Sequence, residues 1–447
     1  MSSESPNPVL GPPDGWREKP LISVAESRFS SVDKLTHGSE EPVRLCNYID
    51  VYNHDYITGD LEFMRASATQ PEIDRFGLKI GDVIITKDSE TPDDIGIPTV
   101  VDYAAPDLVC GYHLALLRPD QEQVDPTFLA KQLKHVRLAR YFGQQANGLT
   151  RYGLPIGAVN NAPLWLPALL DEQKTVSKVL RLMDEAIAKT EVVIAKLRQV
   201  RAGLLHDLLT HGLDSNGKLR DPIAHPELFQ DSPLGQIPKD WTTPSLTNLC
   251  SHIGSGVTPR GGQDVYTSTG IMLIRSQNVA FEGLLLDDVA FISEEIHLGM
   301  LRSEVFAHDV LFNITGASIG RCCPMPKGLG TANVNQHVCA LRVPKATDAD
   351  AKYLASLLAS PIGQRQMDSL LTVGNRQGLN YQQLGSFLIP WPKEDERKAI
   401  SLQIYAIEDQ IRAEEKEYEK QALLKSGLMT DLLTGRVRVP LNKKGTA

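Results

Sequence analysis

The sequence lacks the marks of a membrane-spanning or exported protein. No apolar run reaches the roughly 18 consecutive residues that a transmembrane helix needs. The opening segment, MSSESPNPVLGPPDGW, has neither a basic start nor an apolar stretch, so we expect a disordered tail rather than a signal peptide. We therefore expect a cytoplasmic protein with no membrane partner.

Cysteine is scarce and irregularly spaced. The 447 residues include six cysteines, and none forms a C-x-x-C pair. Without an export signal, we expect buried free thiols rather than disulfides. A zinc site built from Cys322, Cys323 and His337 is a minor alternative, because adjacent cysteines suit tetrahedral coordination poorly. We predict no metal site.

Catalytic motifs are also missing. GASIG at 316–320 lacks the Lys-Ser/Thr of a phosphate-binding loop, and GSG at 254–256 is too short for a dinucleotide fingerprint. Neither G-x-S-x-G nor H-E-x-x-H occurs. We therefore predict no catalytic residue and no cofactor bound by this chain.

What the sequence does contain is a long internal repeat. GLLHDLLT at 203–210 and GLMTDLLT at 427–434 share six of eight residues at an offset of 224. The same offset pairs His113 with His337 and DEQK at 171–174 with DERK at 395–398. These matches predict two diverged copies of one unit, each a module followed by a helix.

A heptad pattern accompanies each copy. Polar residues interrupt both heptad seams near the middle. The first seam comprises Val176, Leu180, Met183, Ile187, Thr190, Ile194, Leu197, Arg201, Leu204 and Leu208, and the second comprises Ile400, Ile404, Ile407, Ile411, Glu414, Tyr418, Gln421, Lys425, Leu428 and Leu432. We predict helices over 167–212 and 392–435, ended by Gly212 and Gly435. Each would be roughly 60 Å long. We expect them to pair antiparallel, although two unrelated helices packed on their own domains are the alternative.

The remaining residues form two modules of mixed α/β character. The first covers 30–166 and the second 234–391, with an entry segment at 1–29, a linker at 213–233 and a tail at 436–447. Strands are predicted at 82–86, 98–103, 112–118, 270–276, 309–315 and 336–343, and helices at 125–142 and 350–367.

Loops of the modules carry Arg, Asn, Gln and Gly, the side chains suited to base edges and the residue that allows close backbone approach. The candidate DNA-binding residues are Arg260, Arg275, Gln277, Asn278, Asn313, Arg321, Asn335 and Arg376 in the second module, and Lys134, Arg137, Asn147 and Arg151 in the first. Ordinary turn chemistry is the alternative for each loop. The net charge of −9 argues mildly against a nonspecific polyanion binder.

Three stretches together suggest a family. They are IPKDW at 237–241, GASIGR at 316–321 and LIPWPKEDERKAI at 388–400, with GLMTDLLTG closing the second helix. With them, the chain resembles the specificity subunit of type I restriction-modification systems. The resemblance covers nearly the whole chain but is weaker in the first module.

The resemblance implies a fold and a set of partners. It implies an α/β protein with two mixed α/β target recognition domains, separated by two long antiparallel coiled-coil helices in a pseudo-twofold internal repeat. Each domain would read one half of a split, asymmetric site in double-stranded DNA, and the helices would set the spacing.

Two modification subunits carrying S-adenosylmethionine would dock on the helices and methylate adenine. Restriction subunits would add ATP- and Mg²⁺-dependent translocation and cleavage. The predicted partner-binding residues are Leu204, Leu205, Leu208, Leu209, Leu428, Met429, Leu432 and Leu433. Two rival interpretations remain open: a scaffold that presents two protein-binding modules on a coiled-coil spacer, and a self-sufficient enzyme.

Overall fold

The computed structural model describes residues 11–259, 261–371 and 378–440. They divide into two compact units. Unit 1 runs up to Glu191 and resumes at Lys416, and unit 2 covers Val192–Glu415. Within the described ranges, no helix combines the length and the apolar character required to cross a bilayer.

Unit 1 is a mixed α/β body. Its strands are β1 (Trp16–Pro20), β2 (Ala25–Phe29), β3 (Glu41–Cys46), β4 (Tyr56–Ile57), β5 (Met64–Ala68), β6 (Val83–Thr86), β7 (Asp88–Ser89), β8 (Pro98–Val101), β9 (Leu108–Cys110), β10 (Leu114–Pro119), β11 (Tyr152–Gly153) and β12 (Pro163–Pro167). Its helices are α1 (Tyr48–Asn53), α2 (Gln70–Phe76), α3 (Pro126–Lys134), α4 (Val136–Gln145), α5 (Ile156–Asn160) and the first half of α6 (Leu170–Thr210).

Unit 2 has the same mixed character. Its strands are β13 (Phe229–Ser232), β14 (Gly235–Pro238), β15 (His252–Ser255), β16 (Ile271–Ile274), β17 (Val279–Ala280), β18 (Gly283–Leu284), β19 (Ala290–Ile292), β20 (Glu304–Val305), β21 (Val310–Asn313), β22 (Cys322–Pro324), β23 (Ala332–Val334) and β24 (Val338–Arg342). Its helices are α7 (Leu246–Leu249), α8 (Glu294–Leu298), α9 (Asp348–Ala359), α10 (Pro361–Leu370), α11 (Tyr381–Gly385) and the first half of α12 (Glu394–Leu433).

The central strands of each unit are buried on both faces. In β6, Val83 and Ile85 belong to one core and Ile84 to a second. In β21, Val310 and Phe312 share one core while Leu311 lies in another. A strand between two cores needs apolar residues at every position, which explains the unbroken apolar runs here.

The principal sheets have the orders β2-β10-β6-β8-β4 in unit 1 and β15-β24-β21-β22 in unit 2. In each sheet an arginine near the end of one strand binds a buried aspartate that stands just before the adjacent strand. The shortest N–O distance is 2.7 Å both for Arg118 with Asp82 and for Arg342 with Asp309. These ion pairs lie at one end of their strands, and the loops considered below lie at the other.

Two predicted helices are each broken into a pair. α3 ends and α4 begins at His135, and α9 ends and α10 begins at Ser360. Both residues are extended, and each side chain accepts a backbone N–H of the second helix. A residue that caps the next helix cannot also continue the previous one, so single helices over 125–142 and 350–367 were wrong predictions.

Parts of the predicted entry segment and linker are strands. β1 pairs with β12, β2 pairs with β10, and β13 pairs with β14. Trp16, Leu21 and Phe229 are buried in these regions. One or two apolar anchors per short strand are enough to fix such segments, and they leave too little periodicity for recognition in the sequence.

The two long helices lie within their predicted ranges. α6 ends two residues before Gly212, and α12 ends two residues before Gly435. These glycines have φ of +65° and +67°, the left-handed conformation that ends helices without strain. All residues of both predicted seams are buried or half-buried, whereas Leu423, outside the seam, is 76% exposed.

A half-buried glutamate, with its side chain 11% exposed, holds the start of α12 in unit 2. The Glu396 carboxylate accepts from Trp241 Nε1 (3.1 Å), from the Leu213 N–H (2.8 Å) and from both terminal nitrogens of Arg220 (2.5 and 3.2 Å). We call this arrangement the helix-entry clamp. It joins the segment after α6 to the first turn of α12.

Unit 1 has a matching clamp at the start of α6. Glu172 is 224 positions before Glu396 and accepts from Trp16 Nε1 (3.4 Å). Arg438, beyond the end of α12, donates to both of its carboxylate oxygens (2.5 and 2.7 Å). In each unit, therefore, a segment that follows one long helix ties down the start of the other.

The long helices contact each other within each unit. In unit 1, Lys425 binds Asp184 (2.6 Å), and in unit 2, Arg201 binds Glu408 (2.5 Å). Lys425 lies 224 positions after Arg201, and Glu408 lies 224 positions after Asp184. The two ion pairs thus join equivalent positions of the repeat. Helix α6 supplies the acidic residue in unit 1 and the basic residue in unit 2.

Candidate nucleic-acid interface

Three segments of unit 2 meet at the end of β21. Ile314 donates its N–H to the carbonyl of His337 (2.9 Å), and its own carbonyl accepts from the Leu379 N–H (2.8 Å). These bonds hold the loops after β21, before β24 and before α11 side by side.

Polar side chains of these loops, of the end of β15 and of the start of α11 form what we call the His337 cluster: Ser255, Thr258, Thr315, Gln336, His337 and Tyr381. Thr315 Oγ1 lies 2.5 Å from His337 Nδ1, and Gln336 Nε2 lies 3.2 Å from His337 Nε2. Thr258 in turn contacts Gln336. The cluster therefore presents hydroxyl, amide and imidazole groups, partly exposed, near the ends of several strands.

Unit 1 has the same backbone junction. Lys87, just after β6, donates its N–H to the carbonyl of His113 (3.0 Å), and its carbonyl accepts from the Leu154 N–H (2.8 Å). His113 stands immediately before β10, as His337 stands immediately before β24. The two histidines, matched by the repeat, occupy corresponding places in the two units.

The surroundings of His113 differ in charge. A cavity of about 840 Å³, which we call the His113 cleft, is lined by Tyr48, Asp88, Ser89, Glu90, Thr91, Asp94, His113, Thr150 and Arg151. His113 Nδ1 lies 2.7 Å from Asp88 Oδ2, and Arg151 Nη2 lies 3.2 Å from His113 Nε2. Tyr52 donates to Asp94 (2.9 Å), which raises the pKa of that phenol. This cleft offers both cationic and anionic groups.

Comparison with known proteins links this architecture to one family. The chain is 24% identical over 380 residues to the protein assigned as the type I restriction enzyme MjaX specificity subunit of Methanocaldococcus jannaschii, covering 83% of this chain and 81% of that protein. It is also 24% identical over 281 residues to the MjaVIII specificity subunit of the same organism, covering 62% and 63%. The chain resembles type I specificity subunits. No family model matches it.

A solved structure supports the fold. The S subunit of the type I restriction-modification system from M. genitalium superposes with a TM-score of 0.57 at 14% identity, covering 96% of this chain and 97% of that one. At this identity the likeness establishes the mixed α/β fold with its long helix. The resemblance predicted from the sequence motifs is confirmed by these relatives.

Three predicted base-reading amides are committed to the fold. Asn278 is 1% exposed and donates to the carbonyls of Leu285 (2.9 Å) and Asp288 (3.1 Å). Asn313 is fully buried and donates to the carbonyl of Ser276 (2.9 Å). Asn335 is 7% exposed, and its side-chain oxygen accepts the backbone N–H of the next residue but one (3.1 Å).

We therefore correct the assignment of these three amides, because buried groups with protein partners cannot reach a base edge in this conformation. The other predictions in the second module fare differently. Arg275 and Gln277 both contact Asp288, so each would have to exchange that carboxylate for DNA. Arg321 is exposed, and its carbonyl accepts the N–H of Asn313 at the end of β21. Arg260 and Arg376 lie outside the described residues.

The two predicted cations on the basic helix face of the first module both have partners within unit 1. Lys134 binds Asp55. Arg137 donates to the carbonyl of Pro163 (2.7 Å) and stacks on Trp165, with its guanidinium carbon 4.2 Å from the ring centre. Burial lowers the pKa of Arg137 to about 10. We correct the assignment of Arg137, because these contacts commit its guanidinium to unit 1. Lys134 is exposed and would have to exchange Asp55 for DNA.

Asn147 and Arg151 remain available. Both are exposed, and a short antiparallel bridge between Asn147 and Gly153 holds their loop. Arg151 lines the His113 cleft.

Half of the predicted partner-binding residues are enclosed within the chain. Leu208 and Leu209 are fully buried in the core of unit 2, and Leu432 and Leu433 are 4% and 1% exposed in that of unit 1. We correct these four assignments, because the end of each long helix is needed to complete its own unit. The half-buried members of the set are Leu204, Leu205, Leu428 and Met429.

Residues that the sequence reasoning missed lie at the centre of both sites. His113 and His337 were noticed as a repeat match, and His337 also as a possible zinc ligand, but neither was predicted to bind DNA. Thr315, Gln336, Glu90 and Tyr381 were not singled out. The available signal was a histidine retained at an offset of 224.

No zinc site forms from the cysteines considered above. Cys322 and Cys323 are consecutive residues of β22 and lie in two different cores, both 1% exposed. Across the described ranges, no three His, Cys, Asp or Glu side chains converge as metal ligands.

Proposed function

We propose that this chain is the DNA-recognition subunit of a type I restriction-modification complex, with each unit reading one half of a split, asymmetric site. The observation that carries the proposal is the same loop junction, centred on a matched histidine, at the same strand ends in both units. Two similar sites with different side chains are what an asymmetric bipartite target requires.

The chemistry of the two sites suits base edges. Amide, hydroxyl, imidazole and guanidinium groups supply the donors and acceptors that the major groove distinguishes, and Arg151 and Arg321 are exposed for guanine or phosphate. The net charge of −9 is compatible with DNA binding if partner subunits supply cations around the duplex.

The long helices would act as a spacer and as a docking platform. Their buried seams and the matched ion pairs within each unit support an antiparallel coiled coil and a pseudo-twofold repeat. Such a repeat would seat two identical modification subunits on DNA whose halves differ. S-adenosylmethionine, and ATP with Mg²⁺ in a restriction complex, would be bound by those partners.

A long-read methylation map of the host genome, with and without this gene, tests the recognition role. In a host whose modification genes are expressed, we expect deletion to remove a split motif methylated on adenine. An unchanged map in that host would refute the proposal.

The spacer role has its own test. Deleting residues 188–194 and 412–418 removes one heptad from each helix, which shortens the pair by about 10 Å at 1.5 Å per residue. At about 3.4 Å per base pair, the gap between half-sites should shrink by about three base pairs. The control replaces the same heptads with alanine-rich heptads of equal length. A gap unchanged by the deletion contradicts the spacer role.

A scaffold for protein ligands is the second candidate function. The acidic net charge and the carboxylates of the His113 cleft favour it, because both oppose contact with phosphate. Sequence-specific retention of duplex DNA in the presence of a modification subunit distinguishes the two; a scaffold would show none.

A further inference from the structure

The two histidine sites differ in the charge of their partners. His337 contacts the neutral Thr315 and Gln336, whereas His113 contacts the carboxylate of Asp88 and the guanidinium of Arg151. Two sites on one backbone plan that differ in this way are suited to different base pairs.

We propose that the His113 cleft reads a G·C base pair, with Arg151 directed to guanine and Glu90 to the amino group of cytosine. This inference rests on the proposed function, and it names the base pair that one of the two half-sites must contain.

A carboxylate at a DNA surface carries an energetic penalty. A carboxylate near the phosphates is repelled, and one that loses water without a donor is costly. It is tolerated where it accepts a hydrogen bond, either from a protein group or from a base. In the major groove, cytosine presents its N4 amino group as donor, and carboxylates are its usual partners.

Adenine is a poorer match for the same carboxylate. Its amino group lies beside the N7 acceptor, so an amide, which donates as well as accepts, fits it better. Guanine presents two acceptors, O6 and N7, that match two N–H groups of an arginine. A cleft that holds an arginine together with a carboxylate is therefore complementary to both edges of one G·C pair.

The structure distinguishes which groups of the cleft are free. Asp88 already contacts His113 and Asp94 already accepts from Tyr52, so these two position their neighbours. Within the described part of the chain, Glu90 has no hydrogen-bonding partner for its side chain and is exposed. Arg151 contacts His113 through Nη2 alone, which leaves Nε and Nη1 for a base.

The test is a methylation map in a host that expresses the modification subunits and carries wild-type protein, Glu90→Gln, Arg151→Ala or the control Glu122→Gln. Glu122 is exposed and does not line the cleft, so the control makes the same charge change elsewhere in unit 1. We expect Glu90→Gln and Arg151→Ala to relax the same G·C position of the same half-site, by about tenfold in methylation of mismatched over cognate sites. Glu122→Gln should leave the motif unchanged.

Three results would overturn the inference. They are relaxation at an A·T position, relaxation at different positions in the two variants, and a motif unaltered by both. In all three cases the wild-type map would still show a split motif, and the proposed function would stand. A wild-type map without any split motif would instead refute the proposed function.

Discussion

Replacing Glu396 with glutamine should destabilise unit 2 through the helix-entry clamp. The carboxylate is an acceptor for Trp241, Leu213 and Arg220, all of which are donors. Glutamine has the same shape but only one acceptor oxygen, so its amide nitrogen must face a donor. Breaking a buried ion pair typically costs about 3–5 kcal/mol. Because Arg220 also contacts Asp240 at 3.3 Å, we expect the lower part of that range, about 3 kcal/mol.

Urea unfolding followed by tryptophan fluorescence measures this loss as a change in the free energy of unfolding. The control is Glu415→Gln, whose partner Arg198 is 64% exposed at the side chain, and we expect it to cost less than about 0.5 kcal/mol. Glu172→Gln should reproduce the effect in unit 1. A loss below about 1 kcal/mol for Glu396→Gln would refute the view that the clamp holds the start of α12.

Two further predictions concern backbone strain and pH. Gly212→Ala adds a Cβ 2.4 Å from Glu396 and from Trp241 at a φ of +65°, whereas Gly217→Ala meets only the strain of its φ of +76°. Calorimetry should show that Gly217→Ala lowers the free energy of unfolding by about 1 kcal/mol and that Gly212→Ala lowers it by at least about 1 kcal/mol more. Equal losses in the two variants would exclude an effect of the contact. Burial lowers the pKa of His135 below its usual value of 6.5, so the stability from its neutral form is present above that value and is lost as the pH falls below it. His135→Asn keeps a cap for the Arg137 N–H, and its unfolding free energy should fall less between pH 7.5 and 5.5 than that of the wild type; parallel curves would count against this assignment.

Periodic features of the fold could be predicted from the sequence. Many repeats of one spacing indicate a long helix, and both ends of α6 and of α12 lie within three residues of the predicted bounds. Short apolar runs indicate strands that are buried on both faces, as in β6 and β21. Breaks at single capping residues, such as His135, leave no periodic trace and were missed.

The candidate site was predicted less well because one residue type serves two purposes. Asn278 and Asn335 have the chemistry of base readers, yet the same amide satisfies backbone groups in tight turns. Sequence cannot tell which use applies, since burial and partners decide it. The repeat was the better signal, because a histidine is retained in both copies. These histidines, His113 and His337, lie at the junction of loops in their respective units.

The clamp of unit 1 brings the segment after the last helix close to the segment before the first strand. Arg438, beyond the last helix, donates to the carbonyl of Asp14 at 2.9 Å, so the chain returns to where its first strand begins. A circular permutant could be opened within the exposed residues 215–219, with Arg438 joined to Asp14. We expect this permutant to retain the clamp of unit 1 and the strand pairs of both units. We therefore expect either module to fold in the same way whichever of them comes first along the chain.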